Sequence, residues 1–283
     1  MPPRASLADR FADRSHRGKL RVTGPQRAWF LHQVLSQSFE DIAESESRDA
    51  AMLTPHGRML GYLEVVSAGD ALLAHFESDL REVLPRALER YVFATRVEIA
   101  DVTEDKGLVL VTGELWRAAA EESEVVVHPT RSLGVEASYL WVARRDLDAL
   151  LHSLSSHGLR RADEEELESV RVANGVPRWG REMTTKSLPQ EAGIDRVAVH
   201  YDKGCYLGQE AMAKIHFRGR VNRRLRRLQT QGRAQEAAEV RCDGERVGSV
   251  TSVAEGHALA ILRRDVAKDA AVTAGAVPAV VVD

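Results

Sequence analysis

The chain has 283 residues, 44% of them hydrophobic and 29% charged, with a formal net charge of −3. That length suits two or three domains with enough apolar material for real cores. The charge excludes a global attraction to nucleic acid or membrane, so any electrostatic site must be local. Two cysteines, Cys205 and Cys242, make no disulfide framework and point to reduced thiols. The opening Met1-Pro2-Pro3-Arg4 runs into Asp9, Arg10 and Asp13 without the apolar core of a signal peptide. No segment approaches the roughly 18 apolar residues of a spanning helix. The expectation is a cytoplasmic protein outside the membrane.

In chain order, residues 19–23 read as a short strand. Thr23 with Gln26 three residues on reads as a capping box, with Pro25 in the first turn of a helix carrying Trp29, Phe30, Leu31 and Val34. Met52-Leu53, then Pro55-His56-Gly57-Arg58, then 59–66 reads as strand, tight turn, strand. Another strand is expected at 72–76. Leu80, Val83, Leu84, Ala87, Leu88 and Tyr91 follow helical spacing. Strands at 92–99 and 108–112, a short helix at 114–122, and strands at 125–128 and 138–143 come next. Leu147, Leu150, Leu151 and Leu154 mark a helix stopping near Gly158. Asp163 caps a helix at 164–173, whose acidic first turn suits the positive end of its dipole.

From 177 to 198 the periodicity weakens, as in a functional loop. The tail then reads as short strands at 224–229, 239–241, 246–253, 257–262 and 276–282, with turns at Asp243-Gly244 and Glu255-Gly256. Even spacing of short strands suggests a small barrel or sandwich. The expected division is 1–219 and 220–283.

The stretch Lys203-Gly204-Cys205-Tyr206-Leu207-Gly208-Gln209-Glu210 carries the strongest chemical signal. A turn of small residues can present a thiol to solvent, and a nearby ammonium favours the thiolate. The bland alternative is a small buried cysteine, a common and inert arrangement. No paired-cysteine or two-histidine spacing supports a resident zinc site or iron–sulfur cluster, and the ten histidines are scattered. Lys214, Arg218, Arg220, Arg223, Arg224, Arg226 and Arg227 crowd the next stretch. They fit either a solvated face or an anion site for a carboxylate tail, a phosphate or RNA. Glycine-rich phosphate loops and a GxSxG elbow are missing.

The run from Lys203 to Glu210, followed by Ala213, Lys214, His216, Arg218 and Gly219, closely resembles the signature of the YgfZ family. These are folate-binding, iron–sulfur-associated relatives of the aminomethyltransferase (T-protein) of the glycine cleavage system. Arg171, Gly175, Pro177, Gly180, Glu182, Leu188-Pro189 and Glu191-Ala192 extend the resemblance upstream. Gly24, Arg27, Phe30-Leu31, Gly57-Arg58, Gly244, Val247-Gly248 and Thr251-Ser252 carry it across most of the chain.

The resemblance implies an α+β, three-lobed aminomethyltransferase-like fold. Two interleaved α+β lobes surround a central cavity, and a C-terminal antiparallel β-barrel completes the molecule. It implies tetrahydrofolate or a derivative as ligand, held by Arg171, Asn174, Glu182, Tyr206, Gln209, Glu210 and Arg218. Cys205, assisted by Lys203, would act at the rim of that cavity. The implied role is support of iron–sulfur cluster assembly or repair, with assembly proteins or client iron–sulfur enzymes as partners, tRNA-modifying enzymes among them. No resident metal is expected.

Two departures bear on this. Ala173 stands where relatives often carry a glutamate, so pterin donors would need Glu182 or Asn174 as acceptor. Asp79 is the sole aspartate in the stretch 74–79 that matches the catalytic segment of aminomethyltransferases. The competing readings are a folate-dependent aminomethyltransferase and an RNA-binding or anion-binding protein using residues 214–227.

Overall fold

The computed structural model describes residues 7–283. The segment Met1-Pro2-Pro3-Arg4 lies outside the described residues.

Two five-stranded sheets and a barrel form the molecule. The first sheet runs in the order Ser47–Leu53, Met59–Ala68, Ala71–Phe76, Gly18–Thr23, Glu98–Asp101, antiparallel throughout. Leu20, Leu53, Leu63 and Phe76 are fully buried in its core. The second sheet runs Arg160–Arg161, Arg10–Asp13, Lys106–Thr112, Ala137–Ala143, Val126–Thr130. Its two faces bury separate clusters, one around Tyr139 and Trp141, the other around Leu140, Leu150 and Leu154.

The chain crosses between these lobes more than once. Arg10–Asp13 belongs to the second sheet although it precedes every strand of the first. After the second lobe is complete, the chain returns, and Trp179, Met183, Ile194, Tyr206 and Met212 bury themselves in the core of the first. The barrel closes in the order Arg223–Thr230, His257–Arg263, Glu245–Ala254, Glu239–Cys242, Ala271–Ala274, Val277–Val281. Leu228, Val240, Val250 and Leu262 fill it. Closure leaves this antiparallel sheet without a free edge.

Several local expectations change. Thr23 and Gln26 make no capping box, because Gln26 Oε1 instead accepts the Arg96 backbone N–H at 2.7 Å. The helix starts at Arg27 with no side-chain cap. The β-branched run at 92–99 starts as a strand only at Glu98. Before it, the N–H groups of Tyr91 and Val92 bond the carbonyls of Leu88 and Glu89 as the preceding helix unwinds. Strands Arg10–Asp13 and Ala271–Ala274 had no clear sequence signal.

By contrast, Asp163 caps Glu164–Asn174 in a full capping box with Glu166. Such a cap contributes about 1 kcal/mol. It fixes a helix whose buried face, Leu167, Val170, Arg171 and Val172, reaches both the second lobe and the barrel.

Candidate functional site

The thiol loop is shaped by its backbone. Gly208 has φ +84°, and a Cβ there would lie 2.5 Å from the Thr54 carbonyl oxygen. Only glycine combines that conformation with so close an approach. Gly57 sits against the same loop at φ +76°, where a Cβ would lie 2.5 Å from Met212 Cε. The hairpin turn at 54–58 and the thiol loop are therefore fitted to each other.

Cys205 is exposed. Lys203 is buried, and its ammonium donates to the carbonyls of His32, Leu35 (2.6 Å) and Gln37 (3.0 Å). All three N–H donors are thereby held by backbone at the end of the helix Arg27–Val34. In place of the expected assistance to the thiol, Lys203 anchors the loop. Its Nζ also lies 4.7 Å from the ring centre of Tyr206, a cation–π contact. Tyr206 is buried in the first-lobe core, and burial raises its phenol pKa. Gln209 Nε2 donates to the Lys203 carbonyl at 3.0 Å and closes the loop. Glu210 and Arg218 are exposed on the helix Gln209–Arg218. Glu210 and Lys214, four residues apart on this helix, are both exposed.

Arg171 and Glu182 form a buried staple. Glu182 Oε2 accepts from Arg171 Nη1 at 3.0 Å and from the Arg178 backbone N–H at 2.9 Å. Its other oxygen accepts the Ser252 hydroxyl at 2.6 Å. Arg171 also donates to Glu168, to the Val176 carbonyl and to Ser252 Oγ. One helix, the returning segment and a barrel strand are thus joined. Both carboxylate oxygens of Glu182 are engaged by protein, and the residue is 2% exposed. Asn174 Nδ2 donates to the Leu133 carbonyl at 3.1 Å. Ala173 gives its carbonyl to Arg227 Nη1 at 2.8 Å.

A cavity of about 520 Å³ lies between the two lobes, within the usual range for small-molecule sites of ~300–1,000 Å³. Of the expected ligand residues, Arg171 alone lines it; Cys205 does not. Trp179, Met183 and Ile194 supply apolar wall.

Opposite lies a belt of ion pairs. Arg17 Nη1 meets Glu77 at 2.5 Å, Arg178 Nε meets Glu77 at 3.3 Å, and Arg178 Nη1 meets Glu164 at 2.7 Å. Burial alone would raise the pKa of Glu77, but Arg17, Arg178 and Arg14 outweigh it and bring it down to about 2. The acid expected at Asp79 is not part of the cavity wall. Glu77, two residues earlier, is the carboxylate of that segment that faces the ligand space.

A row of polar side chains crosses the first sheet beneath the cavity. Asp49 pairs with Glu64, and Glu64 with His75, on adjacent strands. Directly paired residues share a face of the sheet, so these three stand side by side. Asp49, Tyr62 and Glu64 line the cavity. The Thr130 hydroxyl donates to Glu64 Oε2 at 2.6 Å. The Tyr62 hydroxyl works against burial at Asp49 and favours its ionised form. Burial holds both carboxyls well above the usual carboxylate range, and repulsion from Asp49 carries Glu64 further.

Behind them, His75 and His128 are fully buried, and neither Nε2 has a hydrogen-bond partner. One ring nitrogen of each histidine and a Glu64 oxygen lie within 4.8 Å of one another. Burial keeps both rings neutral, with His128 down to about 4. Sequence reading missed this row and treated the histidines as scattered. The available signal was polarity at Glu64, His75 and His128 inside otherwise apolar strands.

The arginine-rich stretch does not form one face. Arg226 donates to the Val266 carbonyl and Arg227 to that of Ala173, while Arg218, Arg220, Arg223 and Arg224 are exposed.

Residues 222–283 match the family described as CAF17, C-terminal beta-barrel domain. The tRNA-modifying protein YgfZ of Hamiltonella defensa is 26% identical over 223 residues, which is 73% of this chain and 66% of that protein. The chain is a relative of YgfZ. A chloroplastic protein of Arabidopsis thaliana named as a transferase is 24% identical over 266 residues, 86% of this chain and 61% of its own length. The iron–sulfur cluster assembly factor IBA57 homolog of Dictyostelium discoideum is 24% identical over 55% of this chain and 40% of its own length. The chain thus spans less than two thirds of each of these relatives. The crystal structure of the glycine cleavage system aminomethyltransferase T from Bartonella henselae superimposes with a TM-score of 0.85. That match is 17% identical and covers 96% of this chain and 84% of the other. The fold of this YgfZ relative is accordingly that of an aminomethyltransferase, with a closed six-stranded barrel at its C-terminus. Among the described residues no helix is long and apolar enough to cross a membrane.

Proposed function

We propose that this chain binds a reduced folate in the interlobe cavity and supports iron–sulfur cluster assembly or repair through Cys205. Through client enzymes it contributes to tRNA modification, acting in the cytoplasm. The observation that carries the reading is a cavity of small-molecule size, walled by buried polar groups, in a fold shared with an aminomethyltransferase. Relatives named for tRNA modification and for iron–sulfur cluster assembly support the cellular role. The exposed thiol on a rigid loop suits a part that meets a partner protein rather than the cavity ligand.

Tetrahydrofolate titrated into the purified protein, followed by calorimetry, tests the binding step. The reading expects saturable one-site binding; no heat above dilution contradicts it. A folate-dependent one-carbon transfer assay with a lipoyl carrier separates this from aminomethyltransferase activity. Turnover lost in Glu77→Gln would replace the accessory role with an enzymatic one.

A further inference from the structure

We propose that Asp49 and Glu64 are the recognition pair of the interlobe cavity, Asp49 as ionised acceptor and Glu64 as a neutral carboxylic acid that donates. The matching ligand edge is planar and carries an N–H donor beside a ring-nitrogen or carbonyl acceptor, as in an aminopyrimidinone. This rests on the folate reading and names the atoms that would read the ring.

The geometry begins with the sheet. Asp49 and Glu64 are directly paired on adjacent strands and both line the cavity. Two carboxyls held this close cannot both ionise cheaply, so they share a single negative charge. The surroundings decide which one keeps the proton. The Tyr62 hydroxyl and the charge of Arg131 both favour the ionised form of Asp49. Glu64 is 5% exposed and faces the charges of Asp49 and Glu77, against which stand Arg17 and the Thr130 hydroxyl. Tyr139 closes the same wall.

Because Thr130 donates to Oε2, the proton of Glu64 belongs on Oε1, which takes no hydrogen bond from the protein. A neutral Glu64 then offers one O–H beside the acceptor oxygens of Asp49.

The node behind Glu64 has metal-type donors, but its tautomers oppose an ion. Arg17 Nε donates to His75 Nδ1 at 3.1 Å, so the neutral ring keeps its proton on Nε2. Metal-bound histidines instead donate their second ring nitrogen to an acceptor. His128 Nδ1 donates to the Pro129 carbonyl at 3.1 Å, which leaves a lone pair on Nε2. One donor and one acceptor facing Glu64 suit a bridging water that would steady the neutral acid.

The test is tetrahydrofolate affinity across the acid, neutral and alkaline range, for wild type and three variants. Wild-type affinity should peak near neutrality. It should fall on the alkaline side as Glu64 ionises and on the acid side as Asp49 protonates, by up to about tenfold per pH unit for one linked proton. Glu64→Gln keeps a neutral donor. It should bind within about threefold of wild type at neutral pH and lose the alkaline fall, whereas Glu64→Ala should lose about tenfold or more. Asp49→Asn should lose at least about tenfold at neutral pH and lose the acid fall.

Infrared spectra of the ligand-free protein supply a second readout. A neutral-carboxyl C=O band at neutral pH should vanish in Glu64→Gln, and its absence from wild type would overturn the inference. So would Glu64→Gln binding as poorly as Glu64→Ala, or all variants binding alike, while tetrahydrofolate binding itself stood. If wild type does not bind tetrahydrofolate, the folate reading fails, and free pterin becomes the probe. The pair predicts the same pH peak for pterin, and a wild type that binds neither overturns both.

Discussion

Residues 203–210 and the interlobe cavity hold their shape by different means. In the loop, backbone does the work: Gly208 takes a left-handed turn against Thr54, and Lys203 and Gln209 tie down carbonyls. The one reactive side chain is left in solvent. In the cavity wall, side chains from strands far apart in sequence hold one another, as in Arg17 with Glu77 and Thr130 with Glu64. The loop therefore tolerates change at its thiol but not at its glycine. The ion-pair belt of the wall and the staple beside it tolerate little, since each charge there neutralises another. The mutations below test that contrast, largest effect first.

Removing Arg171 should do the most damage. It leaves Glu182 and Ser252 buried around an uncompensated carboxylate, and breaking such a pair costs about 3–5 kcal/mol. Arg171→Ala should lower the denaturant midpoint by the corresponding amount with an unchanged slope. A loss as small as a surface substitution would dissolve the staple.

Glu77→Gln comes next, and its effect should depend on pH. The folded-state pKa of about 2 lies below the ordinary value of 4.5. Ion pairing therefore stabilises the fold above pH 4.5, and this contribution is lost as the pH falls through about 2. The gap of about 2.5 units corresponds to about 3 kcal/mol. The variant should be less stable than wild type at neutral pH, with the difference closing in acid.

Glu64 should behave in the opposite sense. Its raised folded-state pKa means that the stability it contributes is present in acid and is lost as the pH rises through that value. Glu64→Gln should gain on wild type as the pH rises from about 4.5 to about 8, and the gain should level off above that.

Gly208→Ala should cost about 1–3 kcal/mol through strain at positive φ, measured by thermal unfolding. Cys205→Ala should change stability by no more than about 0.5 kcal/mol, because the side chain is exposed. A large loss at Cys205 would erase the distinction between a backbone-built loop and a side-chain-built wall.

The two regions also differed in how far they could be read from sequence. The loop announced itself because its cysteine, lysine and the glycine its backbone demands at 208 lie within one short stretch of sequence. The barrel was legible from short alternating strands, although Ala271–Ala274, only four residues long, escaped. The helix from Glu164 was legible from its cap. The cavity was not, because Asp49, Glu64, His75 and His128 converge only through strand register and lobe docking. Arg171 and Glu182 stood out in sequence as ligand residues, yet their hydrogen bonds go to the protein's own lobes. Lys203 likewise drew attention beside the thiol and turned out to face inward.

The most direct test of the account is rescue of iron–sulfur enzyme activity by Cys205→Ala in cells lacking this protein. The account predicts a folded variant, made at wild-type levels and binding tetrahydrofolate as wild type does, that restores no activity. Full restoration by that variant would contradict it.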